Sequence, residues 1–229
     1  MPYVIDPPQV TAVPVLGEKA LFPVRRIWCV GRNYAAHARE MGHDPDREPP
    51  FFFSKPANTI VLDGSDLPFP SQTEDLHHEV ELVVALGRGG ANVSVEDALD
   101  LVFGYAVGFD MTLRDVQGRA KKQGRPWDLS KGFDQSCPLS AIAPVVRMGH
   151  PSRGRIEAAI DGETRQSGDL DQMIWSVAEC LAYLSQSVAL LPGDLLMTGT
   201  PAGVSRVLPG NKLRGVCAGV GEITVSYQA

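Results

Sequence analysis

Residues 77–86 pass from alternating polar and apolar positions, His77 to Glu81, into the continuous apolar run Leu82 to Leu86. With β-branched residues at Val80, Val83 and Val84, this period of two predicts a strand. A second apolar run, Leu101 to Val107, predicts a buried strand that ends in Gly108, Phe109 and Asp110. Arg26 to Val30 reads as a short strand stopped by Gly31, and Phe51 to Lys55 as one that ends in a lysine. Ile156 to Ile160 followed by Asp161-Gly162 has the signature of a β-hairpin. Leu195 onward gives a strand and then a glycine-rich loop through Gly199, Thr200 and Gly203, and Glu222 to Tyr227 alternates as a closing strand.

Helical periodicity is confined to short stretches. Asn33 is placed to cap a helix over residues 34–41, with Gly42 as its stop. Ser94 is a cap for a short helix, and Thr112 opens a helical stretch from Leu113 to Lys122. Ser176 to Glu179 is a capping box, followed by an apolar stripe at Val177, Leu181, Leu184 and Val188. The 18 prolines and 23 glycines mean many turns and few long helices. Five of those prolines lie in residues 1–24, which read as an extended arm packed on a single domain, 25–229. Asp44 to Pro50 is a polar loop where a mobile lid could sit.

Composition removes several function classes. A formal charge of −6 without a basic face argues against a nucleic-acid partner. No apolar run approaches the roughly 20 residues a membrane span needs, and the first residues lack the basic and apolar regions of a signal peptide. Cys29, Cys137, Cys180 and Cys217 are widely spaced without a C-x-x-C pair, which suits a reducing cytoplasm. A cytoplasmic location is therefore expected.

The candidate chemistry begins with Glu79 and Glu81, which a strand places on one face together with His77. Such a pair is either a solvated strand face or a site where two carboxylates share a proton, a cation or a metal. Asp110, at the end of the next strand, offers a third carboxylate. Three acidic oxygens with no cysteine pair suit Mg²⁺ or Mn²⁺ better than zinc. His37 and Glu40 are i, i+3 neighbours, which lets a carboxylate orient an imidazole or leaves both on a plain helix surface. Lys55 reads equally as an exposed strand-end charge or an anion contact. Arg114 and Gln117 share a helix face just after Asp110 and would suit a carboxylate-bearing substrate, whereas Arg119, Lys121 and Lys122 read as ordinary polar positions. Lys131, in a glycine-containing loop, would by itself be dismissed as surface.

These pieces occur in an order that resembles the fumarylacetoacetate hydrolase family. Gly31 to Glu40 resembles the family's G-x-N-Y-x-x-H-x-x-E signature, as do His78 to Glu81, Gly108 to Gln117, Lys131 to Asp134, and Pro192 to Asp194 with Thr198 to Pro201. The likeness runs from about residue 25 to the C-terminus, and the chain's size resembles the compact acylpyruvate hydrolases, including fumarylpyruvate hydrolases of gentisate breakdown. Asn211 stands where an acidic residue is common, and Ser205 where glycine is frequent. The resemblance implies an α+β, mostly β fold, a mixed β-sandwich roll with a few short helices, paired as a homodimer. It implies Glu79, Glu81 and Asp110 as ligands of Mg²⁺ or Mn²⁺, and His37 with Glu40 as the dyad that activates water. Lys131 becomes a positive group beside the metal, and Arg32, Lys55, Arg114, Gln117, Gly199 and Thr200 become contacts to a small 2,4-dioxo acid. The implied reaction is cleavage of the C3–C4 bond of an acylpyruvate, with fumarylpyruvate giving fumarate and pyruvate. Oxaloacetate decarboxylation and isomerisation of a dienoic 2-oxo acid are rival reactions of the same kind of site. A non-catalytic oxoacid-binding protein is the rival from a different class.

Overall fold

A computed structural model describes residues 2–40 and 48–229. The predicted stop at Gly42 and most of the predicted lid, 44–47, lie outside the described residues. The fold is mostly β, with five short α-helices among the described residues.

An eight-stranded curled sheet carries the candidate site. Its strands run in the order Phe51–Lys55, Arg26–Gly31, Asp194–Met197, Val80–Leu86, Val102–Phe109, Cys137–Leu139 and Ile60–Leu62, with Ala143–Pro144 also paired to Val102–Phe109. A second, five-stranded sheet contains the predicted hairpin, Arg155–Ile160 with Glu163–Asp169, and the closing strand Gly221–Tyr227.

All seven residues of Val80–Leu86 are buried, because the strand is covered on both faces. Val80, Leu82, Val84 and Leu86 enter the larger core with Ile156, Leu213, Ile223 and Val225 of the second sheet. Val83 and Ala85, on the other face, join Val13, Val15, Phe22, Ile27 and Met197. Alternation therefore puts Glu81 on the face of Val83 and Ala85, at the end where the sheet opens. The N-terminal strands Ala12–Pro14 and Leu21–Pro23 pair with each other and supply Val13 and Phe22 to that smaller core.

Three local expectations are corrected. The run from His77 is broken: Leu76–His77 pairs with Thr112–Leu113 and Arg206–Val207 in a separate small sheet, and the long strand begins only at Val80. His77 consequently leaves the face of the carboxylates and spends its ring on Asp75, at 3.0 Å, and on Arg114. Asn33 does not cap the helix that follows. Its amide donates to the carbonyls of Trp175 and Thr198, both at 2.8 Å, and accepts the Trp175 N–H, tying two distant loops together. Ser94 caps no α-helix either; it closes a turn on Asp97 ahead of a single 3-10 turn, Ala98–Leu101. The Ser176 capping box and its helix, Val177–Ser187, form as expected.

Candidate active site

Register brings the three carboxylates together. Val80 pairs with Phe109 and Glu81 with Gly108, so Asp110 falls opposite Glu79, whose carbonyl accepts the Asp110 N–H at 2.8 Å. Glu79, Glu81 and Asp110 are all buried and each offers an oxygen within 4.8 Å of the others.

Buried cations and amides hold this charge. Lys131 is 2% exposed, and its Nζ donates to Glu79 at 2.8 Å and to Asp110 at 2.6 Å. It comes from the short helix Asp128–Lys131, which tucks against the strand Phe51–Lys55. Arg114 donates to Glu79 from the other side, at 2.5 Å, and also to Gln117 at 2.8 Å. Lys55 is buried beneath Asp110, with Nζ 2.8 Å from Oδ1, and donates to the carbonyls of Met111 and Lys131. Its approach to Oδ1 is an ion pair without hydrogen-bond geometry, which leaves that oxygen accepting no hydrogen bond. Among the described residues, Glu81 has no cation of its own and accepts only the Gly199 N–H, at 2.7 Å.

The two glutamates therefore diverge electrostatically. Burial opposes the charge on Glu79, but Lys131 and Arg114 outweigh it and hold its carboxyl well below the usual carboxylate range. For Glu81, burial and then the negative charges of Asp110 and Glu79 act together and push its carboxyl well above that range. Burial disfavours the ammonium of Lys131, yet Asp110 and Glu79 more than compensate and raise its pKa. An all-oxygen donor set of three buried carboxylates, with Asp110 Oδ1 free of hydrogen bonds, fits a hard divalent ion.

Beside this cluster stands His37, buried on the helix Ala35–Glu40. Its Nδ1 lies 3.2 Å from Glu40, which also accepts the N–H of Gly203. His37 lines an open cavity together with the three carboxylates, Lys131, Gln117, Arg32, Gly199 and Thr200. Lys55 and Arg114, expected as substrate contacts, do not line it; they stand behind Asp110 and Glu79 and brace them. Its aromatic wall comprises Phe51, Phe53 and Trp127.

Sequence reasoning missed two features. Lys121 lines the cavity, although it reads as a plain surface lysine. Its spacing was the available signal, because Arg114, Gln117 and Lys121 fall at i, i+3 and i+7 on one helix face. Gln166, from the second sheet, braces the site from behind. Its Oε1 accepts from Val80 N and His78, while its Nε2 donates to Thr200 and the Pro201 carbonyl. Because Gln166 offers His78 only a carbonyl oxygen, Nδ1 carries the ring proton, and Nε2 accepts from Ser205 at 2.9 Å. Ser205, a departure from the family pattern, thus completes the bonding of a buried histidine.

Comparison with known proteins identifies the family of the chain. The fumarylacetoacetate (FAA) hydrolase C-terminal family matches residues 26–226. A fumarylpyruvate hydrolase from Pseudomonas aeruginosa, solved in complex with Mn²⁺ and pyruvate, is 49% identical to the chain. The two superpose with a TM-score of 0.97, and the match covers 99% of each. The mitochondrial oxaloacetate tautomerase FAHD1 of Rattus norvegicus is 42% identical over 205 residues, 86% of this chain and 92% of that one. A mitochondrial oxaloacetate decarboxylase of Dictyostelium discoideum is 40% identical over 191 residues, 83% of this chain and 87% of that one. The chain belongs to the fumarylacetoacetate hydrolase family.

Proposed function

We propose that the protein hydrolyses the C3–C4 bond of acylpyruvates, with fumarylpyruvate as the leading substrate. The observation that carries this reading is His37, held by Glu40 at the wall of the cavity that contains the three carboxylates. Metal-assisted loss of CO₂ from oxaloacetate needs no water-activating base, whereas hydrolysis does. The likeness to the Pseudomonas aeruginosa fumarylpyruvate hydrolase supports the same reading.

Glu79, Glu81 and Asp110 would hold Mg²⁺ or Mn²⁺. When bound, such an ion supplies Lewis-acid stabilisation of negative charge on the 2-oxo acid half of the substrate. The remaining work falls to the chain's own groups. Glu40 fixes the imidazole through Nδ1, so His37 Nε2 is left to take a proton from the attacking water. Hydroxide adds to C4, and collapse of the adduct breaks the C3–C4 bond, whose electron pair leaves with C3. Return of the proton to C3 completes pyruvate, and the acyl half departs as a carboxylic acid. Lys131 has three N–H donors and spends two on Glu79 and Asp110, which leaves one for a developing oxyanion. Gln117 and the Gly199–Thr200 loop are proposed to contact the substrate.

A second reading, oxaloacetate tautomerisation or decarboxylation, draws support from the mitochondrial relatives at 42% and 40% identity. The decisive assay offers fumarylpyruvate, acetylpyruvate and oxaloacetate, each with Mg²⁺ and with EDTA. Faster Mg²⁺-dependent turnover of an acylpyruvate than of oxaloacetate is expected. The reverse order would overturn the hydrolase reading.

A further inference from the structure

Among the described residues, Arg32, Lys121 and Lys131 line the cavity, Arg114 stands behind Glu79, and these cations are not equivalent. Arg114 and Lys131 are spent on Glu79 and Asp110. Arg32 and Lys121 both line the cavity, and among the described residues neither has a carboxylate partner. Each instead lies on an aromatic ring: the Arg32 guanidinium is 5.2 Å from the centre of Phe51, and Lys121 Nζ is 5.1 Å from that of Trp127. Those two rings meet edge to face, with centres 5.6 Å apart. One aromatic pair thus presents two half-buried cations to the same space. Burial, then Arg114 and Arg32, lower the Lys121 pKa to about 8. The backbone of Arg32 is left-handed, with φ 58°, a conformation that costs a side-chain-bearing residue energy. Ring faces offset only part of the cost of two unpaired cations.

We propose that Arg32 and Lys121 form a second anion site in the cavity, which takes a carboxylate at the acyl end of the substrate and selects acylpyruvates that are diacids. The aromatic wall of Phe51, Phe53 and Trp127 suits the planar, apolar carbons between the two charged ends. The identification of that carboxylate with an acyl half rests on the acylpyruvate reading; the second anion site does not.

The test compares two unreactive 2-oxo acids of equal length, 2-oxoheptanedioate and 2-oxoheptanoate, which differ only in the far carboxylate. Binding to Mg²⁺-loaded enzyme is measured by titration calorimetry for wild type, Lys121→Met and Lys121→Arg, with thermal melts confirming that each is folded. Wild type should bind the diacid about 10-fold or more tighter than the mono-acid, as one charge-assisted contact allows. Lys121→Met should lose most of that preference through weaker diacid binding, and Lys121→Arg should keep it. Equal binding of both acids by wild type, or an undiminished preference in Lys121→Met, would overturn the site. Turnover distinguishes this failure from that of the parent reading. If no acylpyruvate is cleaved but the preference follows the Lys121 charge, the hydrolase assignment falls and the anion site stands. If acylpyruvates are cleaved without any diacid preference in binding, the anion site falls and the hydrolase assignment stands.

Discussion

The carboxylate of Glu40 lies 3.2 Å from His37 Nδ1 and the same distance from the Gly203 nitrogen, so the partner that orients the imidazole is itself held by the loop that follows Thr200. Glu40 is not among the carboxylates that would hold a metal. Glu40→Gln should therefore depress acylpyruvate cleavage strongly while leaving any oxaloacetate decarboxylation far less affected. The ratio of the two rates under identical Mg²⁺ is the measurement, and an unchanged ratio would show that the dyad does not serve water attack. His37→Ala should slow hydrolysis by on the order of 10² to 10⁴ with metal affinity intact.

Among the three carboxylates Glu81 has the least support, since among the described residues only the Gly199 N–H donates to it. Replacing it with Gln removes a charged oxygen and leaves a group of the same size. Mg²⁺ affinity, read by calorimetry, should fall steeply, and turnover should fall with it. EDTA should abolish wild-type activity, and Mg²⁺ or Mn²⁺ should restore it. Full activity in Glu81→Gln, or in metal-free enzyme, would sink the assignment of the three carboxylates as ligands.

Much of this architecture was legible because strand periodicity and sequence order encode it. The alternation around Glu81 and the apolar run ending at Asp110 identify two strands, and one register then brings their acidic ends together. What stayed hidden depends on contacts between distant segments. Nothing local indicates that Asn33 serves Trp175 and Thr198 instead of its own helix, because both partners lie more than 140 residues away. Lys55 reads in the sequence as an exposed strand-end charge or an anion contact in the site, whereas the fold buries it under Asp110. Charge usually marks the surface, so burial of Lys55 and Lys131 is visible only once their carboxylate partners are in place.

Lys55 is almost wholly buried and serves one carboxylate and two backbone carbonyls. Lys55→Met fills a similar volume but leaves Asp110 without that cation and the Met111 carbonyl without its lysine donor, while Ser136 Oγ still serves the Lys131 carbonyl. Breaking a buried pair this way costs about 3–5 kcal/mol. Urea unfolding should report a loss of that order; a loss below about 1 kcal/mol would mean that Lys55 is not a structural counterion.

Gly203 offers a controlled test of the loop that holds Glu40. Its φ is 96°, and a Cβ there would sit 2.1 Å from the carbonyl oxygen of Arg165. Gly219 has a similar φ of 77° but open space around it. Alanine at either position imposes backbone strain of about 1–3 kcal/mol, whereas only Gly203→Ala must also move the loop. Acylpyruvate turnover should fall about 10-fold or more in Gly203→Ala, a fraction of what the general base contributes. Gly219→Ala should turn over normally, despite its loss in melting temperature. Equal activities in the two variants would separate the Gly203 contact from catalysis.

The last prediction follows from the chemistry of Lys121 itself. Its pKa is lowered to about 8 by burial, then by Arg114 and Arg32, against the weaker opposing pull of Glu79. Lys131 adds to the repulsion, and the guanidinium groups stay charged at all relevant pH. The sign then follows: below about pH 8 Lys121 is a cation, and above it the charge is progressively lost. The preference for 2-oxoheptanedioate over 2-oxoheptanoate should accordingly be full at pH 7 and should shrink by pH 9. Taking the ratio of the two affinities removes any pH dependence at the shared 2-oxo acid end. Lys121→Arg provides the control, because arginine does not titrate in this range and its ratio should stay level. A wild-type ratio as flat as that of the arginine variant would mean that Lys121 keeps its proton throughout. A falling ratio in both would place the titrating group elsewhere in the cavity.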